Sequence, residues 1–143
     1  MNREIKFRGK RIDNKQWFYG SLYYGFSEAS GYKGIGAYLT AYEPENNSFT
    51  TYEIDPKTVG QYTGLKDKNG VDGFADDIVK AGKDELFKIG WFEDTASWIL
   101  SGLETGKVRW IECRENFCLN DFQINFKECE VIGNIYENPE LLK

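Results

Sequence analysis

Residues 58–80 read TVGQYTGLKDKNGVDGFADDIVK, the pattern of a strand, a glycine-punctuated loop, a tight turn and a second strand. Val59 and Tyr62 are apolar, while Gly60, Gly64 and Gly70 supply backbone freedom where other residues would be strained in a turn. Asn69-Gly70 is the sharpest local signal in the chain. Both residues tolerate positive φ, as a two-residue hairpin loop requires, so the spacing predicts a return strand over residues 74–80.

On the N-terminal side, residues 37–42 and 49–54 read as short strands around the polar turn EPENNS, and Asp55-Pro56 turns the chain again. The glycine- and serine-rich FSEASGYKGIG at 26–36 reads as a mobile loop. Ile5 and Phe7 alternate with Glu4, Lys6, Arg8 and Lys10, the period of a half-buried strand with one wet, mostly basic face. After a turn at Asp13-Asn14-Lys15, the return strand WFYGSLYY puts Trp17, Tyr19, Ser21 and Tyr23 on one side and Phe18, Gly20, Leu22 and Tyr24 on the other. Aromatic rings on both faces predict that both are covered, by the core or by another chain.

On the C-terminal side, residues 77–81, 86–92, 97–100, 108–113 and 130–136 form five short β-like segments. Phe87, Ile89 and Trp91 share a face that Trp98 and Leu100 can meet across a hairpin turned at Glu93-Asp94-Thr95. Residues 114–128 are less regular, with room for a helical turn. Asn138, Pro139 and Glu140 suit the cap and first turn of a short terminal helix. The expected fold is mainly β: an N-terminal β-meander over 1–57, an SH3-like β-barrel over 58–143 and a short C-terminal helical turn, in one compact unit.

A chain of 143 residues suffices for a core without metal or disulfide. Three cysteines, Cys113, Cys118 and Cys129, make an odd count, which excludes a complete internal disulfide framework and points to a reducing compartment. No apolar run is long enough for a membrane span, and the residues after Met1 are charged rather than a signal core. The expected location is cytoplasmic. Net charge is −5, but residues 1–15 carry six basic side chains against Glu4 and Asp13, so a basic leading strand precedes an acidic body.

Histidine is absent, which removes Ser-His and Cys-His nucleophiles and the common neutral-pH general base. The adjacent acids Asp76-Asp77, Asp84-Glu85 and Glu93-Asp94 would point to opposite faces of a strand. Zinc would need a carboxylate such as Asp121 beside the cysteines, at a spacing of no familiar site. The glycines of GQYTG and GLKDKNG miss phosphate-loop spacing, and a calcium loop counted from Asp67 ends on Ile78 where Glu is needed. No cofactor, metal or catalytic residue is expected. What remains is an interaction surface made of Lys6, Arg8, Lys10, Arg11, Trp17, Tyr19, Tyr23 and Tyr24, expected to meet a second copy or a host or phage protein. Binding of single-stranded nucleic acid to aromatic platforms is the alternative, opposed by the acidic remainder.

Four blocks carry a family likeness. VGQYTGLKDKNG at 59–70, DIV at 77–79, REIKFRGK at 3–10 and VIGNIYENPELL at 131–142 resemble signature blocks of the YopX family, small proteins of Gram-positive phages and prophages. The resemblance implies a predominantly β protein with an SH3-like barrel, in a bacterial host cytoplasm, and it brings no catalytic residues. The family reads like a tyrosine, an acid and a glycine before DIV, whereas this chain has Phe74, Ala75 and Asp76.

Overall fold

The computed structural model describes residues 4–27, 34–112 and 123–142. Their regular structure is mainly β, with strands joined by turns and short 3-10 segments. The chain divides into two compact units, residues 1–61 and 62–143.

In the first unit, β1 (Phe7–Lys10), β2 (Trp17–Ser27), β3 (Gly34–Glu43) and β4 (Ser48–Ile54) are antiparallel neighbours in chain order. β5 (Gly60–Lys66) starts here, pairing Gly60 with Arg8 and Gln61 with Phe7. The sheet curls until the chain after β1 reaches β4: Arg11 bridges Ile54, the Ile12 N–H donates to the Glu53 carbonyl at 3.1 Å, and the Asp55 N–H donates to the Lys10 carbonyl at 2.8 Å. Gly9 permits that closure, since a Cβ there would collide with Cγ2 of buried Ile54. The inner face buries Ala37, Leu39 and Ile54 completely, and Phe18 stands edge-on to Tyr52 at 4.9 Å. The β2–β3 hairpin extends to Ser27 and Gly34, well into the stretch read as a loop, because Phe26 and Ile35 continue the pairing. The rest of that stretch, residues 28–33, lies outside the described residues.

In the second unit, the remainder of β5 pairs with β6 (Asp72–Phe74). The connection differs from the two-residue loop that Asn69-Gly70 suggested. The Asp67 N–H donates to the Val71 carbonyl at 2.8 Å and the Gly70 N–H to the Asp67 carbonyl at 3.0 Å, and only Gly70 has positive φ, at 77°. This is the longer hairpin loop in which a turn is followed by one left-handed glycine. The predicted 74–80 strand is also broken in two. Asp76 adopts φ 67°, the left-handed geometry that favours glycine, and separates β6 from β7 (Asp77–Ala81). The Asp76 carboxylate accepts from the Tyr136 hydroxyl at 2.9 Å, a bond to a residue sixty positions on.

β8 (Glu85–Phe92), β9 (Ser97–Gly102), β10 (Val108–Glu112), β11 (Gln123–Asn125) and β12 (Glu130–Asn134) complete a sheet of order β11-β10-β9-β8-β7-β12, antiparallel except for β10–β11. The β8–β9 hairpin turns at Glu93–Thr95 with Ala96 left-handed, aligning Ile89 with Leu100 and Trp91 with Trp98, whose rings meet edge-to-face at 5.0 Å. Val79, Phe87, Ile89, Leu100, Phe126 and Cys129 form the core. A 3-10 turn at Pro139–Leu142 follows β12.

Asp67 ties the 67–71 loop to that sheet. The residue is buried, and its carboxylate accepts from the backbone N–H of Asn69 at 2.8 Å, of Val71 at 2.9 Å and of Val131, in β12, at 2.8 Å. The Lys68 N–H adds a bond to the Cys129 carbonyl at 3.0 Å. A residue that sequence alone marks as a turn former thus joins two segments remote in sequence.

Candidate interaction surface

The alternation of β2 fixes which aromatic rings can act together. Trp17, Tyr19 and Tyr23 face outward with Tyr38 and Tyr42 of β3 and Phe49 of β4, since Tyr23 is aligned with Tyr38 and Tyr42 with Phe49. Tyr23 and Tyr38 stack at 5.3 Å with an interplanar angle of 15°, and Tyr42 and Phe49 meet at 5.3 Å. Polar bonds position these rings: the Tyr38 hydroxyl donates to the Phe26 carbonyl at 2.9 Å and the Tyr42 hydroxyl to Asn47 Oδ1 at 2.7 Å. Tyr19, Tyr23, Tyr42 and Phe49 remain exposed. Aromatic faces on both sides of β2 had implied cover on both sides; on the outer face Arg8 is buried, while Tyr19, Tyr23, Tyr42 and Phe49 stay exposed within the described chain.

Tyr24 does not belong to this face. It points inward-side beside Ala37, but at the far end of the hairpin, where it stays exposed with Phe26 and Ile35.

The basic residues are equally divided. Arg8, expected on a wet face, is buried, its guanidinium 4.6 Å from the Trp17 ring centre, and Lys10 lies 5.4 Å from the same ring. These cation–π contacts follow from register, which aligns Lys10 with Trp17 and Arg8 with Tyr19. Arg11 is on the opposite face, 3.5 Å from the Tyr52 ring centre, and its Nε donates to Asp13 at 2.9 Å. That hydrogen bond, with the charge attraction behind it, holds the Asp13 carboxyl below its usual range and raises Arg11. Lys6 reaches Glu4 at 3.4 Å. The face is therefore aromatic with internally engaged cations, rather than a basic groove. Sequence reading missed Tyr38, Tyr42 and Phe49; their alternation with Thr40 and Thr51 was the available signal.

Several acids have partners within the fold. Asp77 is buried and accepts from the Phe74 N–H at 2.8 Å, Asp76 from Tyr136, and Asp84 pairs with Lys80 at 2.8 Å. Among the described residues no group of three or more Cys, Asp or Glu is placed to hold a metal. Cys113, Cys118 and Asp121 lie outside them. Cys129 is buried, and burial, with Glu128 and Asp67 adding to it, pushes its thiol up to about 11. At neutral pH a thiol reagent is therefore expected to leave Cys129 unmodified in the folded protein and to modify it in urea. Peptide mapping that finds Cys129 labelled in the native state contradicts this environment. Because the folded thiol holds its proton more tightly, its stability contribution is present below pH ~9 and is lost as pH rises towards about 11.

No helix among the described residues is long and apolar enough to cross a membrane. No curated protein matches the chain. Among solved structures, the chain is similar to the crystal structure of protein EF1440 from Enterococcus faecalis, at 25% identity over 98% of this chain and 99% of that one, with a TM-score of 0.46. The model of the YopX protein family matches residues 6–143, nearly the entire length. The chain belongs to the YopX family.

Proposed function

We propose that this YopX-family protein is a non-enzymatic accessory protein of a phage or prophage, acting in the host cytoplasm by docking its outer aromatic face on protein, including further copies of itself. One observation carries the reading: Tyr19, Tyr23, Tyr42 and Phe49 are exposed on one face of one curled sheet. Tyrosine-rich surfaces of this kind combine large contact area with hydroxyls that can bond a partner. Support for the non-enzymatic part comes from the carboxylates, several of which are spent on backbone N–H groups. The second unit is read as a small SH3-like barrel, supported by its consecutive antiparallel strands β7 to β10. Single-stranded nucleic acid is the rival ligand. It is disfavoured because Arg8 and Lys10 are drawn onto Trp17 and Arg11 onto Tyr52 and Asp13, away from any phosphate.

Replacing Tyr19 and Tyr23 together by Ser tests the reading. Neither ring is buried, so the variant is expected to fold. Central aromatic anchors contribute more than ~1 kcal/mol each, so self-association measured by sedimentation should weaken at least tenfold. Unchanged association would remove the face from the account.

A further inference from the structure

We propose that two copies pair antiparallel along the open edge of β4, about a two-fold axis at Thr50. The inference rests on the docking reading above and names its occupant, a second copy of the chain.

The direction of the β4 backbone groups follows from its bonds. Thr51 faces Thr40 as a close side-chain pair, Oγ1 to Oγ1 at 2.9 Å, and the Glu53 carbonyl points away from β3 to accept from Ile12. Odd-numbered positions therefore direct N–H and C=O outward. At Glu53 and Asp55 that edge is closed by Ile12 and Lys10. Toward the N-terminus, the outward groups of Phe49 and Thr51 have no backbone partner among the described residues.

Edge strands are ordinarily protected by charge, proline or a bulge. Ser48 to Thr51 has none of these, and β4 pairs with β3 in unbroken register. In the second unit, the start of β12 is instead engaged by the Asp67 loop, through the Val131 N–H and the Cys129 carbonyl before it.

The open segment is complementary to itself. With Thr50 of one copy opposite Thr50 of the other, Phe49 of each lies opposite Thr51 of its mate, and each such pair can exchange both backbone hydrogen bonds. Opposite residues then share a face, so the outer aromatic surface continues across the axis. Phe49, 73% exposed, becomes a diagonal neighbour of its own copy, within reach for an aromatic ring. Tyr42, already packed on Phe49, extends the cluster on each side.

Two variants test this pairing in the full chain. Thr51→Pro removes an outward N–H at an exposed edge position where proline is tolerated, and is expected to abolish the dimer in light scattering. Thr50→Cys places the introduced thiols in a non-hydrogen-bonded antiparallel pair about 4.5 Å apart at Cα, within disulfide reach. Mild oxidation should then give a covalent dimer, absent from the parent chain, in which peptide mapping finds the introduced thiol bonded to its counterpart. A dimer that persists in Thr51→Pro, a parent chain monomeric at all concentrations, or no such disulfide overturns the edge pairing. Association that survives Thr51→Pro but is lost on replacing Tyr19 and Tyr23 leaves the docking reading standing, so the two failures are separable.

Discussion

Replacing Asp67 by Ala should destabilise the protein by about 3–5 kcal/mol, the lower part of the range for three buried donors orphaned at once. The carboxylate accepts from Asn69, Val71 and Val131, and truncation leaves those N–H groups without it. Each orphaned donor costs ~1–3 kcal/mol, reduced where water can enter. Asp67→Asn separates the two jobs of the side chain. Its remaining oxygen can still serve Asn69 and Val71, but its amide would face the Val131 N–H, donor against donor. Hydrogen exchange should therefore accelerate at Val131 in both variants and at Asn69 and Val71 only with Ala. A urea midpoint for Asp67→Ala equal to that of the parent would refute the latch.

The second large effect lies in the core of the same unit. Phe126 is buried, and its removal to Ala should cost ~3–5 kcal/mol. Gly73 lies against that ring: a Cβ there would be 2.6 Å from Cζ and 2.9 Å from Cε1 of Phe126. Gly73→Ala alone must push a packed ring aside, at a cost of ~1–3 kcal/mol. Once Phe126 is Ala, the same methyl enters the space the ring left and meets Ile89 Cδ1 first, at 3.3 Å, so most of its cost should vanish. A double-mutant cycle in urea is thus expected to return a coupling of ~1–3 kcal/mol, whereas additive losses would mean the two residues do not meet.

The sequence disclosed the second unit better than the first because its patterns carried less ambiguity. In FKIGWF, a turn of acids follows the apolar alternation, so the face of Phe87, Ile89 and Trp91 was expected to meet Trp98 and Leu100 across the hairpin, where Ile89 aligns with Leu100 and Trp91 with Trp98. In WFYGSLYY both alternating sets are aromatic, and parity alone could not tell the inner face from the outer. The glycines held the answer, since Gly9 aligns with Phe18 on the face that must approach Ile54. The Asn69-Gly70 loop was misjudged because Asp67, two residues earlier, captures the turn with its side chain. Nothing local announces that the same carboxylate reaches Val131. The aspartate at position 76, where the family reads like glycine, was visible in sequence; that its φ is 67°, the region that favours glycine, was not.

The surface residues divide in the same way. Basic alternation in β1 marked a face spaced for solvent, yet Arg8 is buried, with its guanidinium 4.6 Å from the Trp17 ring centre. Side-chain stacking of that kind depends on strand register, which composition does not specify.

Light scattering on the purified chain, with and without single-stranded oligonucleotide at low salt, tests the docking account most directly. The account predicts a mass above that of one chain, unchanged by oligonucleotide. A single-chain mass that rises on adding oligonucleotide and returns to its starting value with salt would contradict it.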